Sequence, residues 1–371
     1  MKLQRLRASG VQDRGRHRSN LAIEPPHGSL RARESPVRTP RPPTPLPRVS
    51  VVVTAYNAAA FIGETLDSIL AQTFKDLEVI VVDGGSTDQT VDVVSRYPDP
   101  VRAISGERLT KSAGRNVGIR AAAGEFIALV DADDVWLPQK LTRQMEVFER
   151  LPACQWVYSD CFLYDDRWPG VVSTWSMRNR LYSEDILEPL LFDCFVPSPT
   201  PVIRRKVFDR VGLYDESFLR HEPEDWDLWL RIAAQFPVVL VNEPLAKLRI
   251  HSESLTSRED LRLTAEGALS VIGRAFERNP RLPEDLRKRV LSRWCVSFGR
   301  GLVRRGRAQE GRAFFAKAIG QRPFDVRSYL LWMIAWLAGG APRALSAANL
   351  AVTARRARIK AALQKAGGPR E

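Results

Sequence analysis

The chain has 371 residues, 44% of them hydrophobic and 27% charged, and a formal net charge of +13. That length and apolar content suffice for a sizeable core in two domains, or in one large domain with extensions, and exclude a wholly disordered or fibrous chain. The four cysteines, Cys154, Cys161, Cys194 and Cys295, form no CxxC pair and have no histidine at metal-finger spacing. Neither structural zinc nor a disulfide scaffold is therefore expected, and a reduced, cytosolic setting is.

In chain order, Met1–Arg48 carries 11 Lys and Arg against 3 Asp and Glu and ends proline-dense, from Pro36 to Pro47. Such a composition cannot bury enough apolar surface to fold, so residues 1–48 are expected to form a disordered basic tail. Its charge favours anionic partners in general and names none. The start of the chain has no continuous apolar h-region, and no run of about 18 apolar residues occurs, so neither a secretory signal nor a spanning helix is expected.

From Val49 the pattern alternates: apolar VSVVVTAYN (Val49–Asn57), helical Phe61–Gln72, apolar LEVIVVD (Leu77–Asp83) and a helix over Asp88–Tyr97. A short strand near Val101–Ser105, a helix around Ser112–Ala123 and the strand FIALVD, ending at Asp131, follow. Strands alternating with helical segments imply βαβ units and a mainly parallel sheet. The apolar runs stop at polar groups, Thr54 and Tyr56, then Asp83, then Asp131. In open α/β sheets the reactive crevice lies beyond the carboxyl ends of the strands, so these groups are expected to face one crevice.

The stretch Phe126–Trp136, FIALVDADDVW, runs five apolar residues into Asp131, Asp133 and Asp134. Like charges so close are costly unless a cation joins them, and a few hard oxygen ligands suit Mg²⁺ or Mn²⁺ shared with substrate phosphates. The other reading is an acidic turn capping the helix after Pro138. Asp83 is either an acceptor for a base N–H or a ribose hydroxyl, or part of a plain DGGST turn before an Asp88 cap. Arg115 stands at the front of a helix whose N-terminus favours anions, where it either pairs with a diphosphate or base carbonyl or is solvated. No GxGxxG follows a strand, and the Walker-like string Gly106–Ser112 has Lys111 where its second glycine is required.

An amphipathic helix to about Leu151, a strand over Gln155–Leu163 and a Pro/Ser/Thr-rich loop over Asp193–Arg204 are expected next. Glu222–Arg231, EPEDWDLWLR, then places four acids at a helix start beside two tryptophans, with Pro223 suited to the first turn. It is either a well-capped helix burying its Trp face or a carboxylate held ionised beside an aromatic platform, as a general base for a sugar hydroxyl requires. Val238–Leu240 reads as a strand and Lys247–Ser254 closes the region. His251 is either a metal or phosphate contact or a plain structural histidine.

Beyond Thr256 the chain is Arg-rich, with helical spacing over Leu263–Glu277, Glu284–Phe298, Leu302–Arg304 and Ala308–Ile319, and Gly306–Pro323 looks like half of a helical hairpin. Tyr329–Ala338, YLLWMIAWLA, is too short to span a bilayer. Followed by Arg343, Arg355, Arg356, Arg358 and Lys360, it either lies in an anionic membrane interface or is buried in an all-α appendix.

As an ordered set, VSVVVTAYNAAAFIGETLDSILAQT, LEVIVVDGGSTDQT, SAGRNVGIRAAAGEFIALVDADDVWLPQKL, VGLYDESF, EDWDLWLRIA and RIHSESLT resemble glycosyltransferase family 2 over roughly Val49–Thr256. The resemblance implies an α/β chain with the GT-A fold: a Rossmann-like, mainly parallel sheet flanked by helices, with an α-helical C-terminal extension. Residues 49–256 would form the transferase domain, with 49–134 the nucleotide-binding half and 135–256 the acceptor half, and 257–371 the helical region. It implies that Thr54, Tyr56 and Asp83 cradle base and ribose, with Arg115 near the base or diphosphate. Asp131 and Asp133 match the DxD motif, Asp133 being the direct ligand of Mg²⁺ or Mn²⁺. Asp225 matches the catalytic base, with Glu224 its neighbour, and His251 a position that assists the metal or diphosphate; the parts of Asp134 and Arg249 stay open.

Two departures matter. Gly84 stands where many members have a second aspartate, and the QxxRW signature of processive synthases is absent because Val290 precedes Arg293-Trp294. The expectation is inverting transfer of a single sugar from a UDP, GDP or dTDP donor to a saccharide or lipid-linked acceptor. The setting is cell-envelope polysaccharide, lipopolysaccharide or glycolipid synthesis, in the cytoplasm or at the inner face of the membrane, with no specific nucleic acid. One alternative is a sugar-nucleotide nucleotidyltransferase, although Thr54–Phe61 lacks its glycine-rich basic loop. The other is a basic nucleic-acid-binding scaffold, although no strand interleaves aromatic and basic residues.

Overall fold

The computed structural model describes residues 46–165, 171–218, 223–251 and 260–340. Most of the basic tail, Glu222, the Ser252–Thr256 end of the last family motif and the basic residues from Arg343 onward lie outside the described residues.

Strand β1 (Val49–Ala55) shows why the first half folds as it does. Val49, Val51 and Val53 enter one apolar cluster and Val52 another. β2 (Leu77–Asp83) divides Val79 and Val81 from Ile80 and Val82 in the same way, and β4 (Phe126–Asp131) divides Phe126, Ala128 and Val130 from Ile127 and Leu129. A continuous apolar run is what a strand covered on both faces requires. α1 (Ile62–Leu70) and α4 (Lys140–Arg150) cover one face, through Leu66, Ile69, Leu141 and Phe148. α3 (Lys111–Ala121) covers the other through Ile119.

With α2 (Thr90–Val94) and β3 (Val101–Ser105), the first half pairs in parallel in the order β3-β2-β1-β4. The chain leaves β1 on one side for β2 and β3 and returns on the other as β4. Such a reversal opens a crevice past the strand ends, here beyond the register partners Thr54 and Asp131.

The sheet continues through β8 (Val202–Arg204), β6 (Trp156–Asp165), β9 (Val238–Ile250) and β5 (Val135–Trp136), with β7 (Val171–Thr174) on β6. β6 and β9 form a long parallel ladder, whereas β8, β7 and β5 pair antiparallel over two or three residues each. The fold class is thus α/β, a mostly parallel curled sheet flanked by helices.

Several elements differ from the sequence reading. β8 occupies the end of the Asp193–Arg204 stretch, there read wholly as loop, because Ile203 and Val202 complete the ladder between β4 and β6. α2 stops at Val94 rather than reaching Tyr97. β9 runs to Ile250 instead of ending at Leu240, since Cys161–Asp165 of β6 continues to pair with it. α5 (Leu187–Phe192) and α6 (Lys206–Val211) were not foreseen.

α7 (Glu224–Ala233), α8 (Leu261–Arg278) and α9 (Glu284–Arg304) share one apolar cluster with Val52, Ile80 and Leu129 of the sheet, through Trp226, Trp229, Val271, Val290 and Phe298. Leu302–Arg304 is the last turn of α9, not a segment of its own. α10 (Ala308–Gln321) folds back on α9 through Phe314, and α11 (Val326–Gly340) follows. α11 is not a buried helix. Among its described side chains Ser328 and Ala335 are buried, while Leu330, Met333, Ile334, Trp336 and Leu337 are exposed. No helix among the described residues is long and apolar enough to cross a membrane.

Candidate active site

At the carboxyl end of β4, ligand atoms of Asp131, Asp133 and Asp134 lie within 4.8 Å of one another. The three are balanced differently. Asp131 receives Lys111 Nζ and Arg115 Nη2, each at 2.9 Å, and Thr54 Oγ1 at 3.3 Å. Burial pushes its carboxyl up, but Lys111 and Arg115 outweigh burial and hold it well below the usual carboxylate range. Asp133 meets His251 Nε2 at 3.0 Å.

Asp134 is 1% exposed; its Oδ1 accepts from the Arg249 N–H, and its Oδ2 has no hydrogen-bond partner among the described residues. Burial first, then Asp133 and Asp131, drives its carboxyl well above the usual range. A buried carboxylate oxygen without a partner costs about 1–3 kcal/mol or more. An orphaned oxygen beside two further carboxylates is a donor set that suits a hard divalent cation, so the residues present fit one. The turn itself is fixed by Arg249, whose Nε donates to the Asp133 carbonyl at 2.8 Å and whose guanidinium pairs with Glu64. β9 delivers Arg249 and His251 there because Lys247 and Ala246 pair with Val135 and Trp136 just after the acids.

The second acid pair opens α7. Arg115, 4% exposed, donates through Nη1 to Glu224 at 2.6 Å while holding Asp131 through Nη2, and lies 5.0 Å from the Tyr214 ring centre. One guanidinium therefore ties the end of β4 to the start of α7. Asp225 is held differently: its Oδ1 accepts from the Trp226 N–H and its Oδ2 from Ser198 Oγ, each at 2.7 Å. Asp227, further along, is 1% exposed and pairs with Arg231 and Arg278, which joins α7 to α8.

On the β1–β2 side, Tyr56 is exposed. The Asp83 carboxylate is occupied by its own loop, accepting from the Gly85 and Ser86 N–H groups at 3.1 Å and from Ser86 Oγ. Gly85 has φ of 95°, a left-handed conformation in which a side chain would be strained, so this turn needs its second glycine. Asn57 braces it, donating its N–H to Ser86 Oγ and accepting from the Thr87 N–H, both at 2.8 Å.

Asp131, Asp133, Arg115, Glu224 and His251 are thus linked by direct contacts, or through the Asp131–Asp134 cluster, at one end of the sheet. Thr54 joins them through Asp131, whereas Tyr56 and Asp83 belong to the neighbouring loop. Sequence reasoning missed Lys111, noted there only as breaking a Walker motif, and Ser198, hidden in a proline-rich loop. It also missed the bracing of α3, where Asn116 donates to Glu216 and to the Tyr214 carbonyl and accepts from the Tyr214 N–H at 2.9 Å. The ordered GRN and LYDE strings were the available signal for that last contact.

A Rossmann-like sheet whose switch point carries a carboxylate cluster, faced by a second acid pair at a helix start, has the architecture of the GT-A glycosyltransferases. TarS of S. aureus, solved with UDP-GlcNAc, superposes with a TM-score of 0.56 at 19% identity, covering 77% of this chain and 90% of that one. The mannosyltransferase PcManGT of Pyrobaculum calidifontis, solved with GDP-Man and Mn²⁺, gives 0.54 at 20% identity, over 81% and 89%. The family model described as Glycosyl transferase family 2 matches residues 50–212.

An Escherichia coli UDP-Glc:alpha-D-GlcNAc-diphosphoundecaprenol beta-1,3-glucosyltransferase is 30% identical over 190 residues, which is 50% of this chain and 70% of that protein. An uncharacterized glycosyltransferase of Nostoc sp. is 31% identical over 217 residues, 56% of this chain and 63% of the relative's length. The chain belongs to glycosyltransferase family 2.

Proposed function

We propose that the protein moves a single sugar from a nucleotide-sugar donor to a hydroxyl of a saccharide or lipid-linked acceptor, with inversion, in cell-envelope polysaccharide, lipopolysaccharide or glycolipid synthesis. It works in the cytoplasm or at the inner face of the membrane. Residues 49–134 serve the donor and 135–256 the acceptor. The observation that carries this reading is the Arg115 bridge, which sets Glu224 and Asp225 beside the β4 acids.

Asp225 is the base. It takes the acceptor proton as that oxygen attacks the anomeric carbon, and the bond from this carbon to the diphosphate breaks with its electron pair on the leaving oxygen. Hydrogen bonds from Ser198 and the Trp226 N–H to its two oxygens orient the carboxylate. Thr54, Tyr56 and Asp83 hold base and ribose, and Arg115 with Lys111 supplies positive charge near the diphosphate. Asp133, flanked by Asp131, Asp134 and His251, holds Mg²⁺ or Mn²⁺, which when bound stabilises the departing diphosphate as a Lewis acid. The UDP, GDP or dTDP donor class and the metal are in line with what TarS and PcManGT bind, and the acceptor class with the E. coli relative's printed activity.

The test is Asp225→Asn. Transfer is expected to fall by about 10²- to 10⁴-fold, while UDP, GDP or dTDP with Mn²⁺ protects the variant against thermal unfolding as it protects the parent. Near-normal turnover would refute the base assignment.

A further inference from the structure

We propose that the surface formed by α9, the α10–α11 connection and α11 docks the protein on an anionic lipid bilayer. Arginines around a cavity there take lipid phosphates, and α11 lies along the headgroup–acyl boundary. The proposal rests on the C-terminal helices alone, so its failure would leave the transfer reading untouched.

The first observation is the helix itself. α11, VRSYLLWMIAWLAGG, contains no acid, and among its described side chains it buries only Ser328 and Ala335, seven residues apart on one narrow strip. Apart from Arg327, the rest of its surface is mostly apolar: Trp336 is 59% and Leu337 65% exposed, and Phe324, just before the helix, is 97% exposed. Singly scattered apolar residues on a surface are ordinary, but a contiguous apolar patch marks an interaction site. A helix apolar on nearly every side belongs in a core or in lipid. Its 15 described residues fall short of the roughly 20 needed to span, and Pro342 and Arg343 follow close behind in the sequence, so it would lie on the bilayer rather than cross it. Its Tyr329, Trp332 and Trp336 suit the headgroup level, where ring and polar tip find different surroundings.

The second observation identifies the partner. A cavity of about 590 Å³ beside the start of α11 is lined by six arginines, Arg289, Arg293, Arg300, Arg304, Arg322 and Arg327, against two acids, Asp193 and Asp325. Asp325 is taken by Ser328 Oγ at 2.7 Å. Arg300, Arg322 and Arg327 have no carboxylate within ion-pair distance among the described residues, whereas Arg289 pairs with Asp285 at 3.0 Å and Arg293 donates to the Phe192 carbonyl at 3.3 Å beside Asp193. Surplus guanidinium groups call for phosphate or carboxylate oxygens from outside. Arg322 precedes the apolar helix and Arg327 lies in its first turn, so cationic and apolar surfaces are continuous. An anionic bilayer offers both phosphates and hydrocarbon at one boundary. Nucleic acid would satisfy the arginines but would leave Leu330, Met333, Ile334 and Leu337 in water.

The test is sedimentation of the full chain with phosphatidylcholine vesicles, with and without phosphatidylglycerol. Binding is expected to be about tenfold tighter or more with phosphatidylglycerol and to weaken with salt. Trp336→Glu with Leu337→Glu is expected to abolish sedimentation without changing the melting temperature. Arg300→Glu with Arg322→Glu is expected to remove the preference for phosphatidylglycerol.

Absence of binding to either vesicle, or equal binding to both, would overturn the proposal. A lower melting temperature in the Trp336/Leu337 variant would mean the face packs on the chain's own residues. Dissociation of a dimer in that variant, seen by light scattering, would mean it packs on a second copy. Either result would also overturn it.

Discussion

At the crevice past β1 and β4, cation and acid are matched: Arg115 serves Asp131 and Glu224, Lys111 serves Asp131, and Arg249 serves Glu64 and the Asp133–Asp134 turn. Around the cavity beside α11 the matching stops, with Arg300, Arg322 and Arg327 lacking a carboxylate within ion-pair distance among the described residues and a run of large apolar side chains in water. The two regions are built of similar residues and differ in whether the chain itself supplies the counterpart. Charges closed internally hold a geometry, whereas charges left open await something from outside.

That contrast can be broken by measurement. The largest effect is expected from Arg115→Ala, which strands Asp131 and Glu224 partly buried and should cost about 3–5 kcal/mol in denaturant unfolding. A loss under about 1 kcal/mol would mean that water already screens these acids. Next is Gly124→Ala at the entrance to β4, where a Cβ would sit 2.7 Å from the Ser50 backbone nitrogen. The backbone must move, at an expected cost of about 1–3 kcal/mol in the same assay.

Lys140 of α4, a buried cation whose polar partner among the described residues is Gln144 rather than an acid, offers a test through pH. It is wholly buried, 4.0 Å from the Trp136 ring centre and 2.8 Å from Gln144 Oε1, and burial drives its ammonium well below its ordinary value. The unfolded chain binds this proton more readily than the folded one, so folding loses stability as pH falls below the ordinary lysine range. Lys140→Met is therefore expected to raise the melting temperature more at pH 6 than at pH 10. A pH-independent change would show that the ammonium stays charged in the fold. The smallest effect belongs to the open region: Arg322→Ala should change stability by less than about 0.5 kcal/mol. A larger loss would reveal an internal partner and erase the contrast.

What the sequence disclosed follows from the same physics. β1, β2 and β4 were legible because strands covered on both faces must be apolar throughout, and their ends because each run halts at Thr54, Asp83 or Asp131. β5, β7 and β8 were not, since two to four residues carry no period and their place is set by partners far along the chain. The candidate site divides in the same manner. Asp131, Asp133 and Asp225 stand out in local strings. By contrast, the grip of Arg249 on the Asp133–Asp134 turn spans more than a hundred residues of chain and exists only once β9 lies beside β5. Lys111 was misjudged because a lone lysine acquires meaning only from the carboxylates the fold brings to it. For Tyr329–Ala338 the sequence left burial and exposure open, and Ala335 is the lone buried apolar side chain among the described ones of α11.

Because Asp131 and Glu224 draw on one guanidinium, positions 115, 131 and 224 form a unit in which no member can drift alone. Across descendants of this chain, exchanges at the three should be concerted.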